Sequence, residues 1–122
     1  MSFDNTGIVF LQDTDFKNET LSGKLSAKKV FVMVQGSFCG YCTTAKPDFI
    51  KAKNQSNGSV VFATILIDGD SSEKSLAKQL SKITKTDMGG VPAYLLFNNG
   101  KFISIYTGGR DVKSILQFIN NN

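Results

Sequence analysis

Val30-Phe31-Val32-Met33-Val34-Gln35-Gly36-Ser37-Phe38-Cys39-Gly40-Tyr41-Cys42 decides how this chain is read. The run Val30 to Val34 is apolar without a break and rich in β-branched residues. Such a run reads as a strand buried on both faces, typical of the middle of a parallel sheet. Gly36 marks a turn. From Cys39 to about Lys53, Ala45, Phe49 and Ala52 recur on one helical face. Pro47 lies inside that helix and is predicted to kink it, because it lacks a backbone donor and crowds the preceding turn. Both cysteines therefore stand where a buried strand passes into a helix.

That junction has a chemical meaning. A helix N-terminus presents unpaired N–H groups and a partial positive charge, and both stabilise a thiolate. Cys39, at the start, is the expected nucleophile. Cys42 lies three residues on, on the same side of the first turn, where it can attack a mixed disulfide on Cys39. Gly40 keeps the approach open, and the Tyr41 ring can rim the site.

Outward from this centre, Gly7–Leu11 reads as a first strand. Asp15–Ser26, with Phe16, Leu21 and Leu25, is predicted to form a short helix. Residues 54–59 form a loop, and Val60–Ile67 a second buried strand. Asp70 and Glu73 have capping-box spacing ahead of Leu76, Ala77, Leu80 and Ile83. Met88-Gly89-Gly90 is a flexible loop before a strand at Ala93–Phe97. Asn98-Asn99-Gly100 turns the chain into a partner strand at Phe102–Tyr106. After Gly108-Gly109, Asp111 can cap a last helix with Val112, Ile115, Leu116 and Ile119 on one stripe. The order βαβαβαββα implies an α/β fold. It is one domain over residues 1–122, with a mixed five-stranded sheet and helices on both faces.

Composition narrows the function. The chain has 122 residues, 41% hydrophobic, with ten Phe, enough for a real core in one domain. The net charge of +4 comes from thirteen Lys and one Arg spread along the chain, a solvated surface rather than a nucleic-acid patch. No apolar run is long enough for a membrane span. The first residues lack a basic stretch followed by an apolar one, so the expectation is a cytoplasmic protein without a signal peptide. Two Cys and no His cannot close a four-ligand zinc site within one chain, so no metal is expected.

Three features together resemble the thioredoxin family over nearly the whole chain. They are Cys39-Gly40-Tyr41-Cys42 followed by Pro47, the segment Gly90-Val91-Pro92, and Ala93 to Lys101 followed by Gly108. The resemblance implies the thioredoxin fold and a redox-active disulfide between Cys39 and Cys42, with no other cofactor. It implies a cis bond at Pro92, with Gly90, Val91 and Pro92 beside the cysteines and the Val91 backbone pairing with an extended substrate. A proline at a strand start agrees with this. Tyr106 to Arg110 resembles the corresponding loop of protein disulfide isomerase catalytic domains, which implies that Arg110 tunes the second cysteine. The implied partners are protein disulfide substrates and a recycling reductase or thiol pool. No nucleic acid or membrane partner is expected, and the chain is expected to be a monomer.

The chain also departs from thioredoxin. Phe38 replaces a Trp at the substrate-facing rim. Met33 replaces a buried acid, Thr64 its frequent Lys partner, and Tyr41 the usual Pro. Tyr41 and Gly108-Gly109-Arg110-Asp111 resemble glutathione-dependent glutaredoxins. The sixteen-residue step from Pro92 to Gly108 fits thioredoxins instead. The missing acid and Trp leave a second alternative, a redox-inactive binding module.

Overall fold

The structure, a computed structural model, describes residues 3–56 and 58–122. Met1, Ser2 and Asn57, which falls in the predicted 54–59 loop, lie outside the described residues. In chain order the strands are β1 (Val9–Phe10), β2 (Phe16–Lys17), β3 (Thr20–Leu21), β4 (Lys29–Gln35), β5 (Val61–Leu66), β6 (Ala93–Asn98) and β7 (Lys101–Tyr106). The helices are α1 (Gly40–Gln55), α2 (Ser71–Thr84) and α3 (Val112–Asn121).

The Val30–Val34 run lies in β4, at the centre of a five-stranded sheet of order β1-β5-β4-β6-β7. It pairs parallel to β5 and antiparallel to β6, so the sheet is mixed. Its five residues are fully buried because both faces are covered. Alternation along the strand sends Phe31 and Met33 to one face and Val30, Val32 and Val34 to the other. The first face is covered by Ala45, Phe49 and Ala52 of α1 with Ile115 and Ile119 of α3. The second is covered by Leu76, Leu80 and Ile83 of α2. Phe31 is the hub of the first layer. Its ring stacks on Tyr94 at 5.7 Å and lies 5.9 Å from both Phe49 and Phe62.

Several local signals act as their chemistry dictates. The Asp70 carboxylate accepts from the Glu73 N–H at 2.8 Å, and Glu73 accepts from the Asp70 N–H at 3.1 Å. Asp111 caps α3 by accepting from the Ser114 N–H at 3.1 Å. Asn99 (φ 53°) and Gly100 (φ 82°) make the β6–β7 turn, which needs two positive φ angles.

The predicted helix at Asp15–Ser26 is absent. The segment forms the small β2–β3 hairpin, followed by a 3-10 turn at Gly23–Ala27. Asn18 (φ 52°), Glu19 (φ 69°) and Gly23 (φ 64°) are left-handed, which no right-handed helix accommodates. Phe16 instead packs edge-on against Phe97 at 5.7 Å, and the tertiary contact overrides the apolar spacing. The first strand is also shorter than Gly7–Leu11, since only Val9 and Phe10 pair, with Ala63 and Thr64 of β5.

Candidate active site

β4 ends at Gln35, and the chain turns toward α1 through Gly36, Ser37 and Phe38. Three hydrogen bonds hold this turn: Ile67 N–H to Gln35 O at 2.9 Å, Cys39 N–H to Gly36 O at 3.1 Å, and Ser37 N–H to the Asp68 carboxylate at 3.0 Å. The Ser37 hydroxyl donates to the other Asp68 oxygen. These Ser37 donors hold the Asp68 carboxyl below its usual range. The Phe38 ring folds over Gly36, where a Cβ would lie 2.5 Å from the ring. A larger residue at Gly36 would make this exposed ring swing aside.

Cys39 is the N-cap of α1, with extended backbone at φ −92°, ψ 107°. Its sulfur accepts from the Cys42 N–H at 3.0 Å, so one orphan donor of the helix start points at this sulfur. Cys39 and Cys42 form a disulfide with their Cα atoms 5.2 Å apart. Cys42 is 0% exposed and Cys39 8%, so only Cys39 has an edge toward solvent. Gly40 is exposed, and a Cβ there would meet nothing within 4 Å. Pro47 lies inside α1 and lacks the N–H that would bond the Thr43 carbonyl.

The other candidate residues fall on neighbouring surface features. Phe38 and Tyr41 are 70% and 74% exposed, an unusual position for two aromatic rings, and they flank the disulfide. The Val91–Pro92 peptide is cis. Phe38, Gly90 and Val91 line one groove of about 800 Å³, together with Ile67, Ala77 and Met88. Arg110 is exposed, with its guanidinium carbon 6.0 Å from the centre of the Tyr41 ring. It lines a cavity of about 180 Å³ with Pro92 and another of about 220 Å³ with Tyr41. The fold thus gathers Phe38, Gly90 and Val91 on one groove, and Tyr41 and Arg110 on another cavity.

Sequence reading missed two polar features. Gln35 and Thr64 are buried together on the α1 side of the sheet. Gln35 Nε2 donates to Thr64 Oγ1 at 2.9 Å, and Thr64 Oγ1 donates to Met33 O at 2.8 Å. The signal was a Gln closing an apolar strand, opposite a Thr inside another. The second feature is Tyr94, whose hydroxyl is buried without a hydrogen-bond partner among the described residues.

Burial pushes the Tyr94 phenol up to about 12, with opposing help from the Arg110 charge. The raised value means that the folded protein keeps this proton where the unfolded chain loses it. Its contribution is fully present below about pH 10 and is lost as pH rises through about 12. Denaturant unfolding across this window should therefore show falling stability. Tyr94→Phe should flatten that slope and leave neutral-pH stability equal or higher, since an unpaired buried hydroxyl is removed.

With the geometry described, the relatives agree. The Thioredoxin family profile matches residues 7–121. The chain is 38% identical to the thioredoxin-like protein 453L of Invertebrate iridescent virus 6, over 92% of this chain and 91% of that one. It is 29% identical to protein disulfide-isomerase 1 of Dictyostelium discoideum, over 79% of this chain but only 25% of that protein. Among solved structures, thioredoxin f2 of Chlamydomonas reinhardtii superposes with a TM-score of 0.70 at 21% identity, covering 94% and 95% of the two chains. The J-Trx1 fragment of ERdj5 gives 0.73 at 18% identity, covering 97% of this chain and 50% of that one.

A C-x-x-C disulfide at the start of a helix, on this fold, is the arrangement of a thiol–disulfide oxidoreductase. The chain belongs to the thioredoxin family. Among the described residues, no helix is long and apolar enough to cross a membrane, and no cluster of His, Cys, Asp or Glu is placed to hold a metal.

Proposed function

We propose that this protein exchanges disulfides with protein substrates, with Cys39 as nucleophile and Cys42 as resolving cysteine. The observation that carries the reading is the asymmetry of the pair. Cys39 is the solvent-edged N-cap whose sulfur receives a helix N–H, while Cys42 is sealed beneath it. In the reducing direction, the Cys39 thiolate attacks a substrate disulfide and forms a mixed disulfide, and one substrate sulfur leaves. The Cys42 thiolate then attacks Cys39 Sγ, releasing the second substrate sulfur and forming Cys39–Cys42. A recycling reductase or thiol pool returns the pair to dithiol.

The groove between Phe38 and Val91 supports an extended polypeptide as substrate. The Val91 backbone, beside the cis peptide, would pair with the substrate main chain as an added strand. Phe38 and Tyr41 supply apolar contact on either side. Gly40 leaves the approach to Cys39 open.

The test is insulin-disulfide reduction with a thiol recycler, alongside glutathione mixed-disulfide reduction. Turnover of insulin without preference for the glutathione adduct supports the proposal. Turnover of the glutathione adduct alone would assign a glutaredoxin activity, and turnover of neither a binding module. The direction of exchange follows from the reduction potential. A value near about −270 mV would make the protein a reductant suited to the cytoplasm, and one near about −180 mV an oxidant or isomerase.

Arg110 would act on the second step. Its charge beside the Tyr41 ring would favour a thiolate on Cys42. Arg110→Ala should slow release from the mixed disulfide by roughly tenfold, the effect of one pKa unit. Attack by Cys39 should change little. Stopped-flow decay of the mixed disulfide between pH 6 and 9 measures both. An unchanged release rate would reduce Arg110 to a surface charge.

A further inference from the structure

The groove of about 800 Å³ reaches from the neighbours of the redox pair to α2. Phe38, the residue before Cys39, and Val91 line it with Ile67, Ala77, Leu80 and Met88. Val91 also packs against the apolar layer that holds Cys39 and Cys42. The groove is therefore continuous with the proposed substrate site. Its α2 wall carries Lys74 and Lys78. Lys82 continues their row one turn further, and all three are exposed. The only acid within α2 is Glu73, which is buried in the capping box. The other exposed residues of the helix, Ser71, Gln79 and Ser81, are neutral. Two carboxylates reach the groove, and each accepts from donors of its own, Asp68 from Ser37 and Asp87 from the Gly89 N–H at 2.9 Å. Among the described residues, Lys78 and Lys82 make no hydrogen bond or ion pair, and Lys74 lies within electrostatic reach of Asp68. An apolar trough thus runs beside a row of positive charge.

We propose that α2 is a specificity element, its Lys74, Lys78 and Lys82 selecting protein disulfides whose flanking segment carries carboxylates while an apolar side chain of that segment fills the groove. This rests on the redox reading above and names the substrate class of that site. Lysines four residues apart on a helix are about 6 Å apart along its axis. Same-face side chains of an extended segment are about 6.6 Å apart. Carboxylates at alternate substrate positions therefore meet successive lysines. The occupant must bring a disulfide to Cys39, which a nucleic acid does not have. Asp68 and Asp87 at the groove would also repel a phosphate backbone. The row acts on encounter and binding of the substrate, and the exchange at sulfur is unaltered.

The experiment is steady-state reduction, by the full chain with a thiol recycler, of two synthetic peptide disulfides identical around their cysteines. One carries Glu at three alternate positions of the flanking segment, and the other carries Gln there. At low ionic strength kcat/KM should favour the Glu peptide about tenfold, since each exposed ion pair contributes roughly two- to threefold and three act together. Molar salt should bring the ratio close to one. Lys74→Glu, Lys78→Glu and Lys82→Glu combined should bring it below one, and the three Lys→Gln changes combined to about one. A wild-type ratio near one at low salt overturns the proposal, as does a ratio that survives molar salt or the triple Glu variant. Equal loss of rate on both peptides, with the ratio kept, would mark a merely structural role and overturns it too. Retention of a single-stranded oligonucleotide that the triple Glu variant loses, without any peptide preference, would assign the row to nucleic acid instead. A wild-type protein that reduces neither peptide would overturn the redox reading together with this one, whereas one that reduces both equally overturns this one alone.

Discussion

Cys39→Ser is expected to reduce disulfide exchange to the uncatalysed background, while Cys42→Ser keeps the first step and accumulates a covalent mixed disulfide with substrate. The difference follows from where each sulfur sits. Cys39 receives the Cys42 N–H at the first turn of α1 and has the only solvent edge of the pair. A thiolate formed there would meet a partial positive charge and an oriented donor, both of which stabilise it. A serine hydroxyl does not ionise near neutral pH, and nothing else on the chain can replace it, since its two cysteines are its only thiols. Cys42 lies on the buried face of α1, out of reach of an external substrate disulfide. Gel shift under non-reducing conditions reads the trapped adduct. Alkylation of the reduced protein at neutral pH reads the order of reactivity. Faster labelling of Cys42 than of Cys39 would reverse the two roles.

Phe31→Ala is expected to have the largest effect on stability, a loss of about 3–5 kcal/mol. The ring is fully buried and meets five other aromatic residues: Tyr94, Phe49, Phe62, Tyr106 and Phe118, all with centroids within 6.1 Å. Phe49 comes from α1, Phe118 from α3 and the rest from three strands, so one deletion loosens both helices from the sheet at once. The surrounding rings are rigid and cannot collapse into the space, which keeps the cavity cost high. For a domain of this size the thermal midpoint should fall by on the order of 10–20 °C. Calorimetry on the oxidised protein measures it. Phe31→Leu, which retains most of the volume, should cost less than half as much. A loss below about 1 kcal/mol for the alanine variant would mean that the aromatic layer repacks, against the close packing of protein interiors.

The elements whose hydrogen bonds are local, or whose apolar pattern is long, were legible before any coordinates. β4 shows as an unbroken apolar run, while α2 with its Asp70–Glu73 box, the Asn99-Gly100 turn and the Asp111 cap depend on neighbours within a few residues. Propensity and periodicity therefore suffice for them. The Asp15–Ser26 segment was misread for the opposite reason. Its apolar residues have helical spacing, but its backbone conformation is set by the contact of Phe16 with Phe97, far away in sequence.

At the site the division is similar. Cys39, Cys42 and their place at a strand–helix junction follow from the sequence alone, because three residues of spacing and one helix start specify them. The gathering of Phe38 and Val91 on one groove, and the approach of Arg110 to Tyr41, join residues more than fifty positions apart, which only the folded chain can place. The same holds for the polar pair beside Met33. A Gln35 amide tied to Thr64, with one oxygen unpaired among the described residues, exists only once β4 lies beside β5. Local rules specify which atoms react. Tertiary packing decides what surrounds them, because burial and charge at a point in space sum over segments that the sequence keeps apart.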